Sequence, residues 1–583
     1  MARPLSLLAL LGATVTFGTA LLVGHPFAGT AAMAADAGAD EACPGDAGGL
    51  SLPPGFCTTI FADNVGHARH MTVAADGTVY VNTWFSRYFR TPPPAGGFIV
   101  ALRDTDGDGA ADQIDRFGSV PRPDGAAGGG TGIALWRDGL YVEVDDRIVR
   151  YRLKRGERVP SAAPTVVVDG LPMDGDHMMH GIAIDRAGNL FVNSGSASNT
   201  CEKENRQPGS IGNDPCTELE TRAGIWRYSA SATNQHFSPA QRYATGIRNS
   251  GGLAFDAAGR LFAVQHGRDQ LSQSWPALYT TEQGAETPAE ELLHVTQGDD
   301  FGWPYCYFDG AQNKLVLAPE YGGDGGKAIG RCADRKGSVA AYPAHFAPTG
   351  LAYYGQGQFP AAYRGGLFIA FHGSWNRAPN PQDGYRIVFQ PMADGVASGP
   401  AILFADGFTG PGKARGQATH RPTGVAVGPD GALYVSDDVA GRIYRITYKG
   451  QADAPLAAAD PVVYDAAAAD APAGGQGGPA LPQGFTREQV ALGQRIYLGE
   501  ERSGTCAGCH GADGKGSTLG PALTGPDWLW ADGSVGSIAH VIHEGVMEPK
   551  QYSTGMPADG GASLSDADVQ ALAAYVWTLG HRE

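Results

Sequence analysis

Residues 424–437 read GVAVGPDGALYVSD: a short apolar run, a turn at Asp430 and Gly431, and a second apolar run that contains Tyr434. An Asp-Gly turn between two runs of alternating apolar residues is typical of a β-hairpin. A single hairpin of this kind cannot bury its own apolar face, so partner hairpins are expected elsewhere in the chain.

The same hairpin pattern recurs in five other places. The copies are MTVAADGTVYVNT from residue 71, GIALWRDGLYVEV from 132, GIAIDRAGNLFVNS from 181, GLAFDAAGRLFAVQ from 252 and GLAYYGQGQFPAAYRGGLFIAF from 350. Six hairpins arranged radially can bury all their apolar faces. The pattern therefore predicts an all-β six-bladed propeller over residues 43–448, and a two-sheet sandwich is the alternative.

The chain has 583 residues, too many for one ordinary core, so two or three domains are expected. Residues 1–34 have the pattern of a secretory signal: Arg3, then an apolar run over 5–23, then small residues before a cleavage position near Ala34. A retained membrane anchor is the alternative. No later segment has 18 consecutive apolar residues, so no stable membrane insertion is expected.

A second motif lies near the C-terminus, where residues 503–516 read SGTCAGCHGADGKG. Cys-x-x-Cys-His is the attachment signature of a c-type haem. It predicts thioether bonds from Cys506 and Cys509 and an axial iron ligand in His510. A zinc pair is the alternative, but no second cysteine pair follows.

The sixth iron ligand is expected downstream of the haem motif, and Met556 in STGMPADGG is the predicted residue. A thioether ligand raises the reduction potential, as suits an electron acceptor. The competing candidates are Met547, His540 and His543. Residues 486–583, with helical patterns on both sides of these ligands, resemble a class I cytochrome c and predict a small all-α domain.

Residues 449–485 separate the two predicted domains and are rich in Ala, Gly, Pro and Asp, which is typical of a linker. The net charge of −17 argues against nucleic-acid binding, since that requires a basic face.

Six of the eight cysteines remain after the haem motif, and they occur as close neighbours in the sequence. Disulfides are the natural interpretation in an exported chain, and pairing within each close pair is the simplest connectivity. The neighbours are Cys43 with Cys57, Cys201 with Cys216, and Cys306 with Cys332. A periplasmic location accounts for the signal, the disulfides and the haem together.

Polar residues recur just before the inner strand of four repeats. They are His177, Arg248 with Asn249, His345 and Arg421. Inner strands of a propeller line its central axis, so residues that lead into them crowd one mouth. The shared offset predicts a common polar pocket, whereas ordinary polar loop ends are the alternative.

The stretch DTDGDGAADQID between two predicted strands has the spacing of an EF-hand calcium loop, with Gly109 at position 6. It predicts a structural Ca²⁺ site with an aspartate in place of the usual final glutamate. An acidic turn without an ion is the alternative. The predicted ligands are Asp104, Asp106, Asp108, Asp112 and Asp115.

A haem joined to a propeller implies that the propeller oxidises a substrate, which requires a cofactor. No Gly-x-Gly-x-x-Gly follows a strand and opens a helix, so a nicotinamide or flavin site is not expected. The motifs GIRNSGGLAFDAAGRLFAVQHGRDQL, FGWPYCY, APTGLAYY, FHGSWNR, GYRIVF and HRPTGVAVGPDGALYVSDD resemble the pyrroloquinoline quinone (PQQ) sugar dehydrogenases. The likeness covers residues 50–448 and is closest to the L-sorbosone dehydrogenase-like, aldose-oxidising branch.

The resemblance implies that His177 is the general base that takes the proton of the substrate hydroxyl, since it stands five residues before Ile182. Asp176 is then expected to orient the ring or stabilise its charged form. His180 is the rival base, and a plain loop histidine is the alternative for His177.

PQQ carries three carboxylates, so its site requires cations. The resemblance implies Arg248, Arg377 and Arg421 in this role, with Asn249 and His345 as neutral donors. It also implies a Ca²⁺ on the quinone, held by the backbone carbonyls of Gly267 and Arg268.

The resulting hypothesis is a dehydrogenase that oxidises a sugar or aldehyde with PQQ and passes electrons singly to its own haem. A downstream cytochrome or terminal oxidase is the expected electron acceptor. The alternatives are a calcium-dependent propeller lactonase, which moves no electrons, and a sugar-binding propeller whose haem works elsewhere.

Overall fold

A computed structural model describes most of the chain after residue 42. The described residues are 43, 48–85, 95–118, 128–355, 357–377, 381–410, 418–456, 461–462, 482, 484–499, 501–502, 506–511, 514–517, 519–525, 528–552 and 555–580. The predicted signal over 1–34 lies outside them. All that follows concerns the compact unit that starts at Ala42.

Residues 56–448 form six antiparallel sheets, which we call blades 1 to 6 in the order of their inner strands. Blade 1 contains the strands Ala68–Val73, Val79–Phe85, Ile99–Arg103 and Gln113–Phe117. Blade 2 contains Ile133–Trp136, Gly139–Val144, Arg147–Arg152 and Thr165–Asp169. Blade 3 contains Ile182–Ile184, Asn189–Ser194, Gly224–Ser229 and Arg242–Thr245. Blade 4 contains Leu253–Phe255, Leu261–Gln265, Glu290–Val295 and Ala340–Tyr342. Blade 5 contains Pro348–Tyr354, Gly366–His372, Tyr385–Gln390 and Ile402–Ala405. Blade 6 contains Pro422–Val427, Leu433–Asp437, Arg442–Tyr448 and Phe56–Ala62. The six-bladed propeller is confirmed.

The ring of blades is closed by the two ends of the propeller sequence. The first strand, Phe56–Ala62, pairs antiparallel with the last strand, Arg442–Tyr448, so it supplies the outer strand of blade 6. Smaller elements decorate the blades. They are the strands Gly128–Gly129, Gln235–His236, Cys306–Asp309, Lys314–Leu317, Met392–Ala393 and Val396–Ala397, and the helices Leu271–Ser274 and Thr281–Glu286.

The inner strand of each blade contacts the inner strands of both neighbours, which forms a complete ring around the axis. The glycine that opens most of the repeats makes this close approach possible. A Cβ at Gly350 would lie 2.6 Å from the Thr423 carbonyl oxygen, and a Cβ at Gly424 would lie 2.6 Å from the Arg69 carbonyl oxygen. The repeat motif therefore encodes the packing of blade against blade as well as the hairpin turn.

The three predicted disulfides are all present: Cys43–Cys57, Cys201–Cys216 and Cys306–Cys332. Cys506 and Cys509 form no disulfide. This division matches the prediction that the last two cysteines belong to the haem motif.

The C-terminal region is helical. Its helices are Arg487–Leu498, Cys506–His510, Val535–Glu544 and Asp566–Gly580. Thr486 caps the first helix in a capping box with Gln489, and Gly499 ends it in the left-handed conformation. The first and last helices cross at Gly493, where a Cβ would lie 1.9 Å from the Ala571 carbonyl oxygen. The small all-α domain is confirmed.

The predicted linker over 449–485 lies partly outside the described residues. Within it, Pro461 forms a β-bridge with Ile402 at the outer edge of blade 5, and the N–H of Val462 donates to the Ala401 carbonyl at 2.8 Å. Val462 is buried in the core around blades 4 and 5. Within the predicted linker, these two residues therefore lie against the propeller, since the apolar side chain of Val462 packs into the core there. No helix in the described part of the chain is long and apolar enough to cross a membrane.

Candidate quinone and haem sites

His177 is half-buried just before the inner strand of blade 3, and Ser196 holds its imidazole. The ring Nδ1 lies 3.0 Å from the Ser196 carbonyl oxygen and 2.9 Å from Ser196 Oγ. Because the Ser196 hydroxyl already donates to the Ser198 carbonyl at 2.6 Å, both Ser196 oxygens act as acceptors toward the ring. Nδ1 therefore carries the proton, and Nε2 has the free lone pair that a general base requires.

The environment of His177 keeps it neutral. Burial lowers the pKa of His177 to about 3, and the nearby guanidinium of Arg248 lowers it further, while Asp176 acts in the opposite direction. The rival candidate, His180, is fully buried, and its Nδ1 lies 2.8 Å from Glu143 Oε1. His180 is therefore a core residue, and His177 is the histidine that fits the role of base.

Of the two roles expected for Asp176, the structure shows no hydrogen bond that would orient the ring of His177, and the stabilisation of its charged form stays a prediction. The Asp176 carboxylate accepts a hydrogen bond from Arg206 Nε at 2.8 Å, and its backbone N–H donates to the Ala197 carbonyl. Burial raises the pKa of Asp176, but Arg206 and His177 outweigh burial, so the net pKa is lowered. Asp176 thus remains a negative charge beside His177, while the positioning hydrogen bonds come from Ser196.

Asp269, which sequence reasoning missed, joins the predicted residues into one network. It accepts hydrogen bonds from Arg248 at 2.9 Å, from Arg206 at 3.1 Å and from Asn376 at 2.7 Å. Burial alone would raise the pKa of Asp269, but Arg248 and Arg206 hold it far below its usual value. The carboxylate therefore stays charged and links blades 3, 4 and 5 at this mouth.

His345 and Arg377 lie on the other side of this network. His345 is buried with a left-handed backbone, and its Nε2 donates to the Gly284 carbonyl at 2.9 Å. Burial lowers the pKa of His345, while Asp269 raises it. Arg377 forms an ion pair with Glu286 at 2.6 Å, so a carboxylate already balances its charge.

Arg421 is the predicted cation with the least compensated charge. Its guanidinium donates to the carbonyls of His372 at 2.9 Å and Gly373 at 2.8 Å. Within the described chain it forms no salt bridge. The guanidinium also stacks on the ring of Trp375, with 4.5 Å from its central carbon to the ring centroid.

These residues fit an anionic cofactor that carries several carboxylates. Asn249 and Arg377 each keep a buried polar atom, Asn249 Oδ1 and Arg377 Nε, that has no hydrogen-bond partner among the described residues. Buried polar atoms of this kind usually have a partner, so their lack of one fits a ligand at this mouth. Arg421 supplies a cation that forms no salt bridge within the described part of the chain and donates to backbone carbonyls.

The predicted quinone-side Ca²⁺ does not fit the described geometry. The Gly267 carbonyl accepts a hydrogen bond from Arg248 Nη1 at 2.9 Å, so a guanidinium lies where the metal was expected. The side chain of Arg268 turns away and pairs with Glu320 at 2.6 Å. The Gly267 carbonyl thus accepts from a side chain that comes from the segment before the inner strand of blade 4.

The EF-hand-like loop joins strands Ile99–Arg103 and Gln113–Phe117 of blade 1, as predicted. One carboxylate oxygen from each of Asp104, Asp106 and Asp108 lies within 4.8 Å of the others, a spacing that suits a common ion. Asp112 instead accepts hydrogen bonds from Thr105.

Asp115 is a correction to the predicted ligand set. It lies in a strand and pairs with Arg158 at 2.8 Å, which removes it from the loop. Calcium at Asp104, Asp106 and Asp108 stays a prediction.

The helical domain contains an apolar cleft of about 1080 Å³, part of it open to solvent, around the haem motif. Cys506, Cys509, His510 and Met556 all line it. His510 is 8% exposed, and its Nδ1 donates to the Pro521 carbonyl at 2.9 Å, which leaves Nε2 as the metal-ligating atom. The cleft, its two predicted iron ligands and its two predicted thioether cysteines fit a haem.

The competing iron ligands face elsewhere. Met547 is 50% exposed, and His540 and His543 are exposed on helix Val535–Glu544. His543 is bonded to Asp559 at 3.2 Å. None of these three lines the cleft, so Met556 remains the predicted sixth ligand.

Two parts of the chain match known protein families. Residues 50–449, more than half of the chain, match the TrAA12-like family. The chain belongs to the TrAA12-like family. Residues 490–580 match the cytochrome c family, so the TrAA12-like propeller carries a cytochrome c domain at its C-terminal side. The predicted resemblance to PQQ sugar dehydrogenases fused to a cytochrome c is thereby confirmed.

Individual relatives agree with this assignment. The PQQ-dependent pyranose dehydrogenase of Coprinopsis cinerea is 28% identical over 233 residues, which cover 34% of this chain and 30% of that protein. The family AA12 protein of Trichoderma reesei has a TM-score of 0.54 at 18% identity, over 69% of this chain and 98% of that one. The holo PQQ domain of the Coprinopsis cinerea pyranose dehydrogenase has a TM-score of 0.53 at 18% identity, over 68% and 97%. At these identities the structural likeness concerns the fold.

Several residues of this TrAA12-like site were missed by sequence reasoning. They are Ser196, Arg206, Asp269, Trp375, Asn376 and Glu286. Asp269 and Trp375 lie within the motifs HGRD and HGSWNR. A search for a carboxylate that balances the charge of Arg248 would have found Asp269. Arg206 and Glu286 lie in long insertions between repeats, where the sequence carries no signal for them.

Proposed function

We propose that this protein is a periplasmic dehydrogenase that oxidises an aldose or a related sugar aldehyde with PQQ and delivers the electrons to its own c-type haem. The supporting observation is a neutral His177 with a free Nε2 close to the charge of Arg248, which Asp269 and Asn376 connect to the segment that contains Arg377. The family assignment and the fused cytochrome c domain support the same activity.

In this proposal, PQQ supplies the two-electron chemistry: bound at the mouth, it accepts a hydride from the substrate carbon. Arg421 would bind one of its carboxylates, since its guanidinium forms no salt bridge among the described residues. Arg248 and Arg377 would contribute further positive charge, and Arg377 Nε would gain its missing partner.

His177 would remove the proton from the substrate hydroxyl with Nε2 while Nδ1–H stays bonded to Ser196. The resulting imidazolium would be stabilised by the adjacent charge of Asp176, which acts on the His177 pKa in that direction. Arg206 would keep Asp176 ionised. An aldose would then yield a lactone, and a hydrated aldehyde an acid.

His510 and Met556 would hold the haem iron, and Cys506 and Cys509 would bind the porphyrin. The haem accepts one electron at a time, so a separate one-electron carrier, such as another cytochrome or a terminal oxidase, would remove each electron. The disulfides and the c-type haem motif support an oxidising compartment.

The test is dye-linked turnover of the purified protein with a panel of aldoses and simple aldehydes, with and without added PQQ. We expect turnover of at least one substrate only with PQQ, and a loss of about 10²- to 10⁴-fold in His177→Ala. The control is Arg137→Ala, which removes an arginine that stacks on Trp136 in blade 2.

Two results would overturn the proposal. Hydrolysis of a sugar lactone with Ca²⁺ and no PQQ would establish a lactonase. Binding of sugars with no turnover of any of them would establish a binding propeller.

A further inference from the structure

The haem-attachment helix lies directly against the propeller. The middle residue of the motif Cys-Ala-Gly-Cys-His is Gly508, which is buried. A Cβ at Gly508 would lie 3.0 Å from Trp375 Cε3 and 3.3 Å from Trp375 Cζ3. The indole therefore occupies the space that a side chain at this position would need.

A second part of the haem domain meets the same surface. Leu519 lines a cleft of about 240 Å³ together with Ser374, Trp375, Tyr385, Ala418, Arg421 and Val439 of the propeller. Gly508 and Leu519 are therefore the two positions of the haem domain shown to face this surface of the propeller.

The surface is also continuous with the candidate quinone site. The ring of Trp375 stacks against the guanidinium of Arg421, the cation proposed to bind a quinone carboxylate. The next residue, Asn376, donates to Asp269, which in turn binds Arg248. One short segment of the chain thus touches both the haem motif and the quinone site.

We propose that Trp375 is the docking residue for the haem domain and that, with Arg421, it forms the electron-transfer contact between the two cofactor sites. Gly508 then favours this contact, because a Cβ there would lie 3.0 Å from the indole, and a larger side chain would push the motif away from it. The inference rests on the proposed function for its electron-transfer part, whereas docking itself is independent of it.

The electron balance sets what this contact must do. Each oxidised substrate releases two electrons, and the single haem takes one. Two successive transfers across the contact are needed per turnover, with an external cytochrome-type acceptor removing each electron from the haem. A contact that held only for the first transfer would leave half of the electrons on the propeller side.

The test uses the full-length protein isolated with its haem. Gly508→Leu places a side chain into Trp375 and should separate the domains. The matched control is Gly536→Leu in the same domain, because a Cβ at Gly536 has no neighbour within 4 Å. The double variant Gly508→Leu with Trp375→Ala removes the obstacle and should restore the approach.

Two readouts are compared at equal haem content. Small-angle X-ray scattering should show a larger maximum dimension for Gly508→Leu and the original one for Gly536→Leu and the double variant. With substrate and PQQ, haem reduction in Gly508→Leu should slow at least tenfold while dye-linked turnover by the propeller stays within twofold.

The outcomes separate the two proposals. If the wild type reduces neither dye nor haem, the proposed function fails, and scattering alone decides the docking. If the wild type reduces its haem but Gly508→Leu does so equally fast with unchanged dimensions, Trp375 is not the docking residue and the inference is wrong.

Discussion

Nδ1 of His177 lies 2.9 Å from Ser196 Oγ, and the Ser196 hydroxyl proton is already committed to the Ser198 carbonyl. This arrangement fixes the proton of the neutral imidazole on Nδ1 and the lone pair on Nε2. The serine thus determines which histidine nitrogen can act as a base, whereas the sequence had suggested only Asp176 as a residue that could orient the ring.

Removal of the Ser196 hydroxyl should weaken but not abolish catalysis, since the Ser196 carbonyl still accepts from Nδ1. We expect Ser196→Ala to lower kcat by about 3- to 10-fold, the equivalent of one neutral hydrogen bond. The matched control is Ser194→Ala, whose buried hydroxyl donates to the Thr221 carbonyl away from the ring. Steady-state kinetics with a dye acceptor measure both, and an unchanged kcat in Ser196→Ala would contradict the assigned role.

The pH profile of kcat/KM should have no acidic limb near the ordinary histidine pKa of about 6.5. Burial lowers the pKa of His177 to about 3, so the base form persists well below neutral pH. Asp176 raises that pKa and Arg206 lowers it. Asp176→Asn should therefore move the limb to lower pH, and Arg206→Gln should move it to higher pH. Shifts in the same direction for both variants would show that another group titrates.

Arg421 should dominate the affinity for the quinone, because among the described residues it is the predicted cation that forms no salt bridge. Loss of one charge-assisted contact of about 1.5 to 3 kcal/mol predicts an increase in the Kd for PQQ of roughly 10- to 100-fold in Arg421→Ala. Titration of the quinone-free protein with PQQ by calorimetry measures this constant. Arg137→Ala, at the Trp136 pair, serves as control and should bind normally. If Arg421→Ala and Arg137→Ala bind PQQ with equal affinity, Arg421 does not belong to the quinone site.

Met556 should set the reduction potential of the haem. Replacement by leucine removes the thioether ligand, so we expect the potential to fall by roughly 100 mV or more, within the ~0.8 V range that axial ligands span. Met547→Leu is the control, because Met547 is exposed and does not line the cleft. A spectroelectrochemical titration compares the three proteins. A fall in Met547→Leu alone would reassign the sixth ligand.

The propeller and the haem domain could be predicted from the six hairpin repeats and the Cys-x-x-Cys-His motif. Each hairpin motif contains both its turn and the glycine that lets one inner strand approach the next, as at Gly350 and Gly424. Local sequence therefore encodes blade formation and blade packing together. The haem ligands were equally accessible, since Cys506, Cys509 and His510 are fixed by their spacing.

The site was predicted less completely, because its interactions join distant segments. Asp269 binds Arg206 and Arg248, which lie 63 and 21 residues away. The Gly267 carbonyl was expected to face Ca²⁺ but receives Arg248, and Asp115 was expected in a calcium loop but pairs with Arg158. A spacing motif describes only the residues of one loop. It therefore cannot predict a hydrogen bond or ion pair with a side chain from a distant part of the sequence.

Electron transfer from the substrate to the haem is tested most directly by the visible spectrum of the oxidised haem in the purified protein under anaerobic conditions. PQQ and a reactive sugar are added separately and then together. We predict full haem reduction only when both are present, with the reduced spectrum lost when the external one-electron acceptor is added. An oxidised spectrum that persists with quinone and every sugar or simple aldehyde, in protein with intact haem, would contradict this prediction.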